Sequence, residues 1–90
     1  MIWREFLSIS ENEKAVLAVI FNEERSAREI AAATGLRITN LYVILHNLER
    51  RRLITARWGD ETPEQLISRG GSRKRYYRIS EAGRETDVIK

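Results

Sequence analysis

The sequence predicts a mainly α, α+β fold: a three-helix core, then a two-stranded β-hairpin and a short carboxy-terminal helix. Three observations predict it. Two serine-x-x-glutamate capping boxes, Ser10 with Glu13 and Ser26 with Glu29, stand ahead of apolar-periodic stretches. In such a box the hydroxyl and the carboxylate satisfy backbone N–H groups that a helix start leaves without partners. Leu41, Ile44, Leu45 and Leu48 recur at i, i+3, i+4 and i+7, the spacing of one buried helix face. Leu53 to Trp58 and the tyrosine-containing run Arg73 to Ile79 then read as strands, where β-branched and aromatic residues pack well.

Residues 1–9 form an arm ahead of the first helix, which is expected from about Glu11 to Phe21. Its inward positions are Ala15, Val16, Val19 and Ile20, with Leu17 on an adjoining flank, and a middle so apolar marks it as the buried helix. The second helix, Ala27 to Thr34, turns Ile30 and Ala31 inward and ends at Gly35, a residue suited to the left-handed conformation that closes helices. The third runs from Ile38 to Arg51. Opposite its leucine stripe it displays Thr39, Asn40, Tyr42, Val43, His46, Asn47 and Arg50. Residues 59–72 are expected to be a long loop at the hairpin tip, and Ser80 caps a terminal helix reaching about Ile89. On the last strand Arg75, Tyr77 and Ile79 share one face, and Lys74, Tyr76 and Arg78 the other.

Ninety residues suffice for a single domain, so residues 1–90 are read as one unit with one function. There is no cysteine and only one histidine, which removes thiolate metal sites, cysteine nucleophiles and most histidine-based constellations. The carboxylate pairs Asp60–Glu61 and Glu23–Glu24 lie in polar stretches that would not perturb their acidity, so acid/base catalysis has no support. Gly70-Gly71-Ser72 lacks the lysine and hydroxyl residue of a phosphate-cradling loop and reads as a hairpin tip. Neither an enzyme nor a cofactor is expected. No apolar run approaches the roughly 20 residues of a membrane span, and Met1 to Leu7 lacks the pattern of a secretory signal, so a cytoplasmic location is expected.

The net charge of +3 hides an uneven distribution. Residues 37–58 carry five basic side chains against one acidic, and residues 69–78 carry five basic and none acidic, while the intervening residues 59–68 carry three acids and no base. Positive charge concentrated in two blocks is the footprint of a polyanion partner, since each neutralised phosphate releases condensed counterions. The second and third helices, joined around Gly35, match a helix-turn-helix, an arrangement that ordinary helical hairpins share. A hairpin with a basic tip directly after the third helix makes the combination a winged helix-turn-helix.

The segment Thr39-Asn40-Leu41-Tyr42-Val43-Ile44-Leu45-His46-Asn47-Leu48-Glu49-Arg50 resembles the reading helix of PadR-like transcriptional regulators. Arg73-Lys74-Arg75-Tyr76-Tyr77-Arg78-Ile79-Ser80-Glu81-Ala82-Gly83 resembles their basic, tyrosine-containing wing strand and the helix start after it, and Leu53-Ile54 with Trp58 falls where they enter the wing. The resemblance covers about residues 10–84, with MarR-like regulators as near neighbours. It implies a transcription regulator, usually a repressor, that binds a palindromic operator as a dimer. Three positions depart from the pattern: Arg37 stands where a capping side chain is usual, Val43 where proline is common, and Arg52 where glycine often follows the helix.

The expected partner is double-stranded DNA, with residues 38–51 in the major groove and the wing, residues 69–78, on phosphate or in the minor groove. Asn40 and Asn47 have the amide geometry for adenine, Thr39 has a methyl for thymine, and Tyr42, Val43, His46 and Arg50 complete the face. Arg73, Lys74 and Arg75 are the wing contacts. Arg28, in the first turn of the second helix, is expected to meet phosphate beside that helix's backbone donors, and Arg37, ahead of the third helix, is a further expected DNA contact. A homodimer is expected through the amino-terminal arm and the carboxy-terminal helix, whose ends carry Ile2, Trp3, Phe6, Leu7, Val88 and Ile89. Trp58 and Trp3 leave a small-molecule effector open, and packing or dimer contact is the plainer role for both. The alternative reading is a winged helix used as a protein-interaction module, in a larger assembly or as a phage-encoded factor.

Overall fold

The computed structural model describes residues 9–68, 70 and 73–86. Helix α1 spans Glu11–Val19, strand β1 Arg25–Ser26, α2 Ala27–Thr34, α3 Ile38–Arg50, β2 Ile54–Trp58, α4 Pro63–Ser68, β3 Arg75–Ile79 and α5 Glu81–Arg84. Both capping boxes form. The Ser10 hydroxyl accepts from the Glu13 amide at 3.1 Å while the Glu13 carboxylate accepts from the Ser10 amide at 2.9 Å. The same exchange at Ser26 and Glu29 measures 3.3 and 2.8 Å. Gly35 closes α2 in the left-handed region at φ 77°, its N–H bonded to the Ala31 carbonyl.

The helices meet through Val16, Leu17 and Ile20 of the first, Ala27 and Ile30 of the second, and Leu41, Leu45 and Leu48 of the third. Leu53, Ile54, Tyr77 and Ile79 close the core from the sheet side. The buried stripe of α3 is therefore i, i+4, i+7; Ile44 packs at its edge. In α1 the inward set is Val16, Leu17 and Ile20, while Ala15 faces solvent and Val19 is half-buried, so the core-facing stripe lies one position over from the expected one. Leu17 has more apolar surface to bury than Ala15, and that decides the rotation.

The end of α3 is a Schellman motif built without glycine. The Leu53 N–H reaches the Leu48 carbonyl at 3.0 Å and the Arg52 N–H reaches Glu49 at 3.0 Å, with Leu48 and Leu53 in the core as the accompanying apolar pair. Arg52 takes the left-handed conformation at φ 61°. Its carbonyl then accepts the Ser80 hydroxyl at 2.7 Å, and that hydroxyl caps α5 through the Gly83 N–H at 3.1 Å.

Several expected boundaries are corrected. The first helix stops at Val19, not Phe21, and α3 at Arg50, with Arg51 as its cap. The strands start at Ile54 and Arg75, later than expected. The terminal helix closes at Arg84, short of Ile89. The wing hairpin gains a third strand, since β1 pairs antiparallel with β3 through Arg25 opposite Tyr77 and Ser26 opposite Tyr76, giving the order β1-β3-β2. Two polar residues carry no alternation that would betray a strand. The stretch read as an unbroken loop contains α4, opened by Thr62 and Gln65 in a reciprocal cap of 2.9 and 3.2 Å with Pro63 at the first helical position. Trp3 and the apolar patches of the arm and of Val88-Ile89 lie outside the described residues.

Candidate nucleic-acid interface

The leucine stripe of α3 fixes what its other side presents. With Leu41, Leu45 and Leu48 in the core, Thr39, Asn40, Tyr42, Val43, His46, Asn47 and Arg50 all face solvent. Tyr42 is 52% and Val43 61% exposed, large apolar surface that the fold leaves uncovered on a helix otherwise well packed. Arg37 occupies the N-cap of α3 but makes no side-chain cap bond, so its guanidinium is directed outward from an exposed position.

Register then brings the wing beside this face. Trp58 pairs with Arg75 across the β2–β3 ladder, and the Gly59 N–H bonds the Lys74 carbonyl at 2.7 Å, extending the hairpin one step beyond that pair. β1 delivers the start of α2 to the same place, because Ser26 is at once the strand residue opposite Tyr76 and the cap of that helix. The result is an open groove of about 610 Å³ lined by Arg28, Tyr42, Trp58, Arg73, Lys74 and Arg75, with Ser26 and Ala27 at its floor. Of the twelve residues predicted to meet DNA, five come together here. Asn47 and Arg50 line a smaller hollow of about 320 Å³ with Glu13 and Arg51, nearer the other end of α3.

The cations are not equivalent. Among the described residues, Arg28, Arg37, Arg50, Arg73 and Lys74 form no ion pair. Arg73 donates from its guanidinium to the Gly59 carbonyl at 3.1 Å, a neutral acceptor that holds the group at the wing without cancelling its charge. Arg75 instead bonds the Glu49 carboxylate of α3 at 3.4 Å and lies over the Trp58 ring at 4.8 Å and the Tyr77 ring at 6.0 Å. Burial pushes the Tyr77 phenol above its ordinary range, and the Arg75 guanidinium partly offsets the rise. Arg57 is engaged by Glu24, which accepts two hydrogen bonds from it, and lies over Tyr76 at 4.9 Å. That bonding holds the Glu24 carboxyl below the ordinary range and pushes the Arg57 guanidinium up.

Glu49 and Trp58 were not assigned to this face from the sequence in the roles they take. A signal existed for Glu49, the one acid among residues 37–58, placed near the end of a helix whose dipole disfavours it. A carboxylate in that position calls for a cation, and Arg75 supplies it. No cluster of histidine, cysteine, aspartate or glutamate suited to a metal occurs among the described residues.

The Transcriptional regulator PadR-like family matches residues 16–87, from the last turn of α1 through α2, α3 and the wing. The chain belongs to the PadR-like family of transcriptional regulators. Among solved structures it is similar to Staphylococcus aureus MepR in complex with DNA, with TM-score 0.71 and 17% identity over 90% of this chain and 60% of that one. It is also similar to Lactococcus lactis ZitR, a zinc-responsive MarR family member, with TM-score 0.69 and 12% identity over 84% and 46%. A homodimeric winged helix-turn-helix DNA-binding domain from Mycobacterium bovis gives TM-score 0.65 and 24% identity over 90% and 64%. These likenesses establish the winged-helix fold of this PadR-like chain, which spans roughly half to two thirds of each neighbour's length. No curated protein sequence matches it. None of its described helices is long and apolar enough to cross a membrane.

Proposed function

We propose that this chain is a sequence-specific, double-stranded-DNA-binding transcription regulator, acting in the cytoplasm as a homodimeric repressor, with residues 1–90 working as one winged-helix domain. The observation that carries the reading is the placement of an acid-poor, exposed α3 face beside a groove lined by Arg28, Arg73 and Lys74, none of which forms an ion pair among the described residues. Family membership supports it, as do the DNA complex of MepR and the homodimeric Mycobacterium bovis domain of the same fold.

In this reading α3 enters the major groove. Asn40 and Asn47 pair with base edges, Thr39 and Val43 meet thymine methyl groups, and Tyr42, His46 and Arg50 border the strand. Arg28 and Arg37 take phosphates beside the helix starts, where backbone N–H groups add to the attraction. Arg73 and Lys74 follow the backbone from the wing. A two-fold dimer places half-sites about 10 bp apart, centre to centre. Nothing in this arrangement calls for catalysis or a cofactor.

Selection from a random duplex pool at near-physiological salt tests the proposal. An enriched motif is expected, with Asn40→Ala changing which bases are preferred and Lys74→Ala weakening all duplexes alike. A pool that stays unenriched would refute sequence-specific binding and leave the protein-interaction module as the better account.

A further inference from the structure

Arg75 lies in the most basic stretch of the wing, yet its surroundings differ from those of Lys74 next to it. Its guanidinium leaves the sheet, crosses the Trp58 ring and ends on the Glu49 carboxylate of α3. The side chains of Arg75 and Glu49 are 32% and 39% exposed, so neither reaches freely into solvent. We infer that Arg75 is a positioning residue: a strut between wing and α3 that sets the angle at which the two meet DNA, and not itself a phosphate contact.

Charge balance argues for the strut. A phosphate contact by Arg75 would require it to leave Glu49, exposing an unpaired carboxylate on the surface that approaches the phosphates. Keeping the pair intact cancels both charges and removes that repulsion. The planar guanidinium suits the double task, since it can bond a carboxylate at its edge while its face rests on an aromatic ring. Tyr77, buried on the same strand face, backs the guanidinium from below. The contact also ties the outer part of the wing to α3 at its surface, in addition to the core packing that brings Ile54, Tyr77 and Ile79 together with the α3 leucines.

The consequence for binding rests on the DNA-binding reading; the strut itself does not. In a Trp3→Phe background, Trp58 emission reports the stacking in the free chain. Arg75→Ala and Glu49→Gln should both shift it to longer wavelength as the ring loses its cover, with near-native circular dichroism. Unchanged emission in both variants would overturn the strut whether or not DNA binds.

On duplex DNA the sign of Glu49→Gln decides. A strut predicts weaker binding, by about three- to tenfold, the effect of losing one charge-assisted hydrogen bond. A phosphate contact predicts tighter binding, because the substitution removes a negative charge and frees a positive one. Salt titration separates the two cations. Lys74→Ala should lower the slope of log affinity against log salt by about 0.9, the value for one phosphate, whereas Arg75→Ala should leave the slope unchanged and lower affinity at every salt concentration. Tighter binding by Glu49→Gln, or an Arg75→Ala slope reduced like that of Lys74→Ala, would overturn the inference. Absence of duplex binding by the unsubstituted chain would instead remove the DNA-binding reading, and the emission experiment would still decide the strut.

Discussion

Replacing Arg52 by glycine should stabilise the protein. Arg52 is the described non-glycine residue with positive φ, at 61°, and it sits in the left-handed position of the Schellman motif that ends α3. A Cβ in that conformation costs about 1–2 kcal/mol. Glycine removes this cost but loses about 0.4–1 kcal/mol through the greater freedom of the unfolded chain. The net gain is therefore about 0.5–1 kcal/mol. For a chain of this size that corresponds to roughly 2–8 °C in Tm, and to a urea midpoint higher by about 0.5–1 M if the denaturant slope is near 1 kcal/mol per M. Arg52→Ala is the control, since it deletes the same guanidinium and keeps the backbone strain. Urea unfolding of the three proteins should rank Arg52→Gly above wild type, with Arg52→Ala close to wild type and an unchanged slope. If glycine and alanine behave alike, conformational strain at this position is not what limits stability there.

Gly83→Ala should have the opposite sign. A Cβ there would stand 2.2 Å from the Leu53 carbonyl oxygen and 2.6 Å from an Ile79 side-chain carbon, and the first obstacle is backbone. A loss of about 1–3 kcal/mol is expected from overpacking, read as a lower Tm; an unchanged Tm would show that α5 can shift away without cost. Acid should weaken the fold through Glu24, held low chiefly by the hydrogen bond from Arg57, and Glu29, held low chiefly by the Ser26 amide. Because both folded-state values lie below the unfolded ones, their stabilisation is complete above the ordinary glutamate value of about 4.3 and is lost as the pH falls from there through the folded values. Urea midpoints measured from pH 7 down to 3 should thus be level and then fall, with a shallower fall in the Glu24→Gln, Glu29→Gln double variant, in which glutamine at 29 keeps the capping bond. An equally steep fall in that variant would place the acid sensitivity elsewhere. Ser26→Ala should cost about 1 kcal/mol by removing a helix cap, and a Tm like that of wild type would show that strand pairing at Ser26 suffices to hold the start of α2.

Where one strong local signal governed an element, the sequence was readable. The two capping boxes and the left-handed Gly35 each settle backbone groups within four residues, and all three form. The α3 face followed from its leucines for the same reason. Elements that depend on partners distant in the chain were harder. β1 exists because β3 offers it an edge, and nothing in Arg25-Ser26 alone announces that. α4 has a local signal too: Thr62-Pro63-Glu64-Gln65 is a capping box with proline at its first turn, set in a stretch whose polarity otherwise suggests only loop. The alternation of the last strand does carry its faces, with Tyr77 and Ile79 buried and Lys74 and Arg78 exposed. What the strand pattern could not convey was that Arg75, on the buried side, would find Glu49, 26 residues earlier, because that meeting depends on how the hairpin leans on α3.

The central claim is that the solvent face of α3 reads the major groove, and 7-deazapurine interference on a selected duplex tests it most directly. Every base pair presents one purine N7 to the major groove and none to the minor groove, so replacing N7 by carbon edits one groove alone. The account predicts that binding falls only at particular positions within each half-site, and that Asn40→Ala abolishes the sensitivity at one of them. Uniform tolerance of the replacement across the selected site would contradict it.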